Sequence, residues 1–243
     1  ALTRRPPTTM SPPLVSILLP CRNARETLDE ALSSIREQTL QDFEVLAIDD
    51  HSNDGSDAHL ASAAALDPRF RFLRSSGRGL VSALNFGLSR SQSEFVARMD
   101  ADDRMAPRRL EVQHRHLCRH PDISVLGCRV RVFPESRLTD GMRNYLEWLN
   151  ACVSPDSIAA DIYVESPLAH PSVMFRKQAI QRLGGYRQGP FPEDYDLWLR
   201  LVGNGAKLAK VPQVLLEWRD SPNRASRQDP RCSREAFDRL RAC

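Results

Sequence analysis

Two acidic clusters in this chain have residue types and spacing that could do chemistry. Asp100, Asp102 and Asp103 crowd three carboxylates into four residues of the stretch FVARMDADDRMAPRRL. Like charges this close raise one another's pKa and cost stability unless a cation or a ring of donors compensates. In extended chain Asp100 and Asp102 point to the same side, about 6–7 Å apart at Cα, so both can reach one hard cation. Magnesium or manganese suits such oxygen ligands and keeps coordination positions open for substrate phosphates. The same residues also suit a cap on a helix starting at Pro107, because aspartate is favoured before and within a first helical turn. Spacing leaves both readings open, and both hold at once if Asp103 serves the helix while Asp100 and Asp102 serve the ion. The second cluster, Glu193, Asp194 and Asp196, opens the helix of FPEDYDLWLRL, anchored by apolar Leu197, Trp198 and Leu201. A carboxylate there could take the proton of an attacking hydroxyl. It could equally do no more than favour the helix dipole.

The elements that must position these clusters follow from hydrophobic periodicity. LVSILL, residues 14–19, is a nearly continuous apolar run, as expected of a strand buried on both faces. Leu28, Ala31, Leu32 and Ile35 fall at i, i+3, i+4 and i+7 on one helical face. FEVLAI, residues 43–48, is a second strand, and it ends in the turn-rich DDHSNDGS. A helix over 57–65, a strand over 70–73, a helix marked by Leu80, Ala83, Leu84 and Leu88, and a strand over 95–99 come next. Alternating strand and helix with short connections implies an α/β fold with a mostly parallel, Rossmann-like sheet covered on both faces. Ligands of such sheets bind beyond the carboxyl ends of the strands. Pro20 to Asn23, Asp49 with Asp50, and Asp100 to Asp103 all lie at such ends. Neither GxGxxG nor GxxxxGK[ST] is present to hold phosphate, so an aspartate-held metal is the alternative the chain offers.

Composition narrows the class. The chain has 243 residues, 41% hydrophobic and 27% charged, ordinary for a globular protein. A net charge of +3 gives no call for nucleic acid. Of 34 basic residues only Lys177, Lys207 and Lys210 are lysine. The six cysteines (Cys21, Cys118, Cys128, Cys152, Cys232, Cys243) form no CxxC pair, which fits reduced thiols better than a disulfide frame. No window reaches the ~20 apolar residues of a membrane span, and the first residues lack a signal-peptide core. A cytoplasmic protein is expected, with a flexible proline-rich tail over residues 1–13. His116 and His120 share a helical face, where a solvated surface outweighs a zinc site. Arginines concentrate near the end, at Arg219, Arg224, Arg227, Arg231 and Arg234.

The stretches VSILLPCRNARETLDEALSSIREQTLQDFEVLAIDDHSNDGS, ARMDADDRMAPRRLEVQ, HPSVMFRKQAI and GGYRQGPFPEDYDLWLRL together resemble the family 2 glycosyltransferases of the GT-A fold. The resemblance covers residues 14–218, and four motifs occur in the family's order. It implies inverting transfer of a sugar from a nucleotide-diphosphate donor, UDP being the expected nucleotide, to a hydroxyl of a glycan or lipid-linked acceptor in cell-surface polysaccharide synthesis. It implies a Mn2+ or Mg2+ cofactor on Asp100 and Asp102. For the nucleotide it implies Pro20, Cys21, Arg22, Asn23, Asp49, Asp50, Gly79, Asn85, Asp100 and Ala101, with Arg78 and Arg98 as diphosphate contacts. Arg22 stands where the family commonly has an aromatic residue. By the same resemblance Asp194, with Glu193, is the catalytic base, and His170 and Trp198 lie on the acceptor side. The expected organisation is a nucleotide-sugar half over 14–132, an acceptor half over 133–218, and a basic segment over 219–243 as a candidate lid. Peripheral contact with a membrane would suit a lipid-linked acceptor. A nucleotidyltransferase would place a glycine-rich basic loop after the first strand, which PCRNARE is not. A non-catalytic sugar-nucleotide-binding protein would keep the core and lose the metal ligands or the base.

Overall fold

The computed structural model describes residues 11–221 and 229–241. Its strands are β1 (Val15–Cys21), β2 (Phe43–Asp49), β3 (Phe70–Arg74), β4 (Phe95–Arg98), β5 (Arg104–Met105), β6 (Ile123–Phe133), β7 (Met174–Arg176) and β8 (Lys207–Arg219). The helices are α1 (Leu28–Arg36), α2 (Ser56–Leu66), α3 (Leu80–Arg90), α4 (Arg109–Arg119), α5 (Asp140–Ala151), α6 (Pro155–Asp161), α7 (Lys177–Arg182), α8 (Glu193–Gly203) and α9 (Arg234–Arg241). One sheet holds all these strands in the order β3-β2-β1-β4-β7-β6-β8-β5.

Every residue of β1 and β2 is buried, because helices cover both faces. Alternate residues face opposite layers. Val15, Ile17 and Leu19 of β1 meet Leu28, Leu32 and Ile35 of α1 and Leu60 of α2, whereas Leu18, Leu46 and Ile48 meet Val81, Leu84 and Leu88 of α3 and Leu197, Trp198 and Leu201 of α8. The apolar spacing read as helical faces is therefore the spacing that fills these layers.

β1, β2, β3 and β4 pair in parallel, which brings the carboxyl ends of β1, β2 and β4 to one edge. β7 then joins β4 and β6 antiparallel, β6 pairs β8 in parallel, and β5 closes the order antiparallel to β8. Strands from the two expected halves thus interleave in one sheet, and a boundary at 132/133 falls at the end of β6. β5 lies four places beyond β4, yet only residues 99–103 join them. Four strand spacings come to about 19 Å. A link of that length containing a turn, with Asp103 N–H directed to the Asp100 carbonyl at 3.4 Å, cannot cross a flat sheet so wide. The sheet curls, and its far edge returns beside β4.

Candidate functional site

Two chambers open at this edge and share a wall. The larger, of about 940 Å³, is lined by the turns after β1 and β2, the start of α3, and Asp100 to Asp102. The smaller, of about 500 Å³, is lined by Arg98, Asp100, Asp102, His170, Glu193 and Asp194, with Tyr145, Trp218 and Phe237 among its apolar walls. Asp100, Asp102, Leu80, Arg219, Ser221 and Arg231 belong to both.

The larger chamber is built by turns that tie one another down. Asn23, at φ 51°, accepts from Asn53 N–H at 2.9 Å, and its own N–H donates to Ser52 Oγ at 3.1 Å. Asp54 accepts from the N–H groups of Arg25 and Ser56, both at 3.0 Å, and Thr27 Oγ1 donates to the Ala101 carbonyl at 3.1 Å. Both oxygens of Asp50 accept from Gly79 N–H, at 2.9 and 3.0 Å, and Arg22 Nη1 lies 3.9 Å from Asp50. Gly79 sits at φ +91° as the residue before α3, a conformation that L side chains rarely adopt, so glycine is what lets this N–H turn to Asp50. Burial pushes the Cys21 thiol up to about 12, so it lines the chamber as a neutral group.

One carboxylate oxygen from each of Asp100, Asp102 and Asp103 lies within 4.8 Å of the others, the only such group among the described residues. Burial, reinforced by the charge of Asp100, pushes Asp102 up to about 6. Burial and then its two acidic neighbours push Asp103 well above the usual range. Arg98 pairs with Asp100, Arg219 N–H donates to Asp103 Oδ1 at 2.8 Å, and Asp103 Oδ2 is buried with no hydrogen-bond partner. An oxygen-only donor set under mutual repulsion, with one buried oxygen unspent, fits a hard divalent cation. Asp103 does not cap the following helix as the sequence suggested. α4 begins at Arg109 and has no side-chain cap, because Asp103 is turned to β8.

At the opposite wall, His170 stands between Tyr186 and Glu193, with Nε2 3.0 Å from Tyr186 Oη and Nδ1 3.6 Å from Glu193 Oε1. Burial pushes the Glu193 carboxyl up, but hydrogen bonding and charge from His170 outweigh it and hold the group below the usual glutamate range. Asp194 moves the other way, raised by burial and by the charge of Glu193. Asp196 is engaged elsewhere, accepting from Arg200 Nε at 2.8 Å. Two neighbouring carboxyls with pKa values pushed apart divide ionisation between them, leaving Asp194 the one poised nearer neutrality.

The structure brings Pro20, Cys21, Arg22, Asn23, Asp50, Gly79, Asp100 and Ala101 to the larger chamber, and His170, Glu193 and Asp194 to the smaller. Arg98 lines the smaller one, together with Glu193 and Asp194. Four expected residues line neither. Asp49 is buried, accepting from Ser52 N–H at 3.1 Å and facing Arg74 at 3.6 Å, so it shapes a turn. Arg78 is exposed outside both chambers. Asn85 is spent on the backbone of Tyr186, 101 residues away, donating to its carbonyl and accepting from its N–H, both at 2.9 Å. Gly185 makes room for this clamp, since a Cβ there would lie 2.5 Å from Asn85 Oδ1. Trp198 is 0% exposed and packs edge-on under His170 at 5.9 Å, so it supports the wall from the core. Of the terminal arginines, Arg219 is fixed to the Asp102 carbonyl and Glu30, Arg231 pairs with Asp229 while facing both chambers, and Arg224 and Arg227 lie outside the described residues. His116 of α4 and His120, just past its end, stack at 4.4 Å. Thr27, Asn53, Asp54 and Tyr186 were not singled out from sequence, although Asn53 and Asp54 lie in the turn-rich NDGS and Thr27 and Tyr186 in the stretches that carry the resemblance.

A curled sheet with helices on both faces and an acidic turn shared by two chambers is the architecture of a GT-A glycosyltransferase. The chain belongs to glycosyl transferase family 2, whose sequence pattern matches residues 16–184. It is 32% identical over 209 residues to the amylovoran biosynthesis glycosyltransferase AmsE of Erwinia amylovora, covering 85% of this chain and 76% of that protein. It is 31% identical over 207 residues to the UDP-Gal:alpha-D-GlcNAc-diphosphoundecaprenol beta-1,3-galactosyltransferase of Escherichia coli, covering 83% and 71%. Its fold matches the mannosyltransferase PcManGT of Pyrobaculum calidifontis, solved with GDP-Man and Mn2+, at a TM-score of 0.68 and 20% identity, over 88% of this chain and 59% of that one.

Proposed function

We propose that this chain moves one sugar from a nucleoside-diphosphate sugar, UDP the expected nucleotide, to a hydroxyl of a glycan or lipid-linked saccharide, with inversion, during synthesis of a cell-surface polysaccharide. The observation that carries the proposal is the shared wall: Asp100 and Asp102 face both the chamber for the nucleotide and the chamber holding Asp194. The donor's base and ribose would occupy the turns around Pro20 to Asn23 and Asp50, with the diphosphate toward Asp100 and Asp102. A Mn2+ or Mg2+ held by those two aspartates would neutralise charge gathering on the departing diphosphate.

Asp194 acts as the general base, taking the acceptor hydroxyl's proton as the hydroxyl attacks the anomeric carbon. His170 keeps Glu193 ionised, and the negative charge of Glu193 raises the proton affinity of Asp194. Tyr145, Trp218 and Phe237 offer apolar faces to an acceptor saccharide. The segment with Arg231 and Phe237 closes the site from above as a lid. A lipid-linked acceptor is supported by the name of the E. coli relative. The proposed location is peripheral, at the cytoplasmic face, within reach of a lipid-linked acceptor; no helix among the described residues is long and apolar enough to cross a membrane.

A panel of nucleotide sugars, each with Mn2+, Mg2+ or EDTA, tests the reading by donor binding and donor hydrolysis. Cation-dependent binding of one donor, lost in Asp102→Asn, is expected. Asp194→Asn should bind that donor with unchanged affinity while transfer falls roughly 10²–10⁴-fold. Cation-independent binding, or none to any donor, would overturn it.

A further inference from the structure

Two arginines are buried beneath the acidic turn, and they are used differently. Arg109, 0% exposed, spends its guanidinium on Gln113 Oε1 at 3.1 Å and on the carbonyls of Arg98 and Val173 at 2.8 and 3.3 Å. That is a structural arginine, with its donors consumed by the backbone it braces. Arg98, only 2% exposed, ends β4 with its guanidinium paired to Asp100, and its Nε has no hydrogen-bond partner among the described residues. A buried cation with donors unspent is costly, and packing alone does not call for one. Asp100 is 31% exposed on its side chain, so the pair has one end in the core and the other at the wall shared by the chambers. Glu193, on the far side of the smaller chamber, also acts on Arg98.

We infer that Arg98 is a resident counter-ion, a positioning residue that occupies the electrostatic place of a divalent cation at Asp100 and holds cation affinity low until a diphosphate is present. The inference rests on the metal-binding reading of Asp100 and Asp102. In the cation-free protein the guanidinium neutralises Asp100. An arriving Mn2+ must share that carboxylate with a positive charge that cannot leave for solvent. The added negative charge of a nucleoside diphosphate shifts the balance, so cation and donor bind together. Arg98 is then no diphosphate contact; it makes cation binding depend on the donor.

Mn2+ binding to the 243-residue chain, followed by loss of the free-ion EPR signal with and without UDP, tests this apart from activity. Arg98→Gln should bind Mn2+ about tenfold more tightly than wild type without UDP, and the gain in affinity on adding UDP should shrink by a similar factor. Arg98→Lys, which keeps the charge, should stay within about threefold of wild type. If Arg98→Gln does not fold, Arg98→Met fills the same volume without a buried amide and carries the same expectation. Wild-type binding with equal or weaker binding by the neutral variants would overturn the counter-ion role alone. No Mn2+ binding by wild type, with or without UDP, would overturn the metal reading and this inference with it.

Discussion

Replacing Asn85 by alanine separates two roles for that residue. Read from sequence it is a nucleotide contact; in the structure it is a clamp on Tyr186, whose hydroxyl meets His170. The variant removes two hydrogen bonds of 2.9 Å and leaves the N–H and carbonyl of a residue 3% exposed without those partners. A lost bond to a backbone group left in poor contact with water costs about 1–1.5 kcal/mol, so the pair comes to about 2–3 kcal/mol. For a domain of this size that lowers Tm by about 4–12 °C. Loosening of Tyr186 frees His170, and transfer should fall through kcat. Calorimetry and titration with UDP in the presence of Mn2+ read the two effects separately. Unchanged UDP affinity with a lowered Tm is the expected result. A native Tm with UDP affinity reduced tenfold or more would refute the clamp and restore Asn85 to the nucleotide.

Two further outcomes follow from the site. Asp102, held near 6 when folded against an ordinary 3.8, binds more protons folded than unfolded between those values, so the cation-free protein loses stability as pH rises through that window. Asp102→Asn should therefore be more stable than wild type at pH 8 without metal, by on the order of 2 kcal/mol, and show no gain at pH 3, as pH-dependent urea denaturation would reveal. Trp198→Phe should cost roughly 1–3 kcal/mol by leaving a core void, with acceptor KM unchanged in saturation kinetics; a raised KM would return Trp198 to the acceptor site.

The strands with continuous apolar runs and the helices with one apolar stripe were legible because local pattern and tertiary burial agree there. β1, β2, α1 and α3 lie within two residues of their expected ends. β5, of two residues, was not legible as an element, since it is defined by pairing with a strand far along the chain. The acidic turn could be placed at a strand end because parallel topology sends strand ends to one edge. What Asn85 and Asp103 touch could not be read. Their partners, Tyr186 and Arg219, lie over a hundred residues away, and a polar side chain near a ligand edge satisfies the same local pattern whether it faces ligand or backbone. Trp198 carried both signals, an apolar helix face and a place after the acidic pair, and burial decided for the first.

The five residues from Met99 to Asp103 act as a clasp as well as a loop, because they fasten the last strand of the order back against the fourth. Sheet curvature and carboxylate spacing are thereby one mechanical quantity. Flattening the barrel-like roll pulls on the aspartates, and lengthening the clasp by a residue would slacken both. Arg104 and Glu217 pair across β5 and β8 at the rim next to this clasp, although neither lines a chamber. Carboxylate spacing is thus open to substitutions at the sheet's outer hem, outside both chambers.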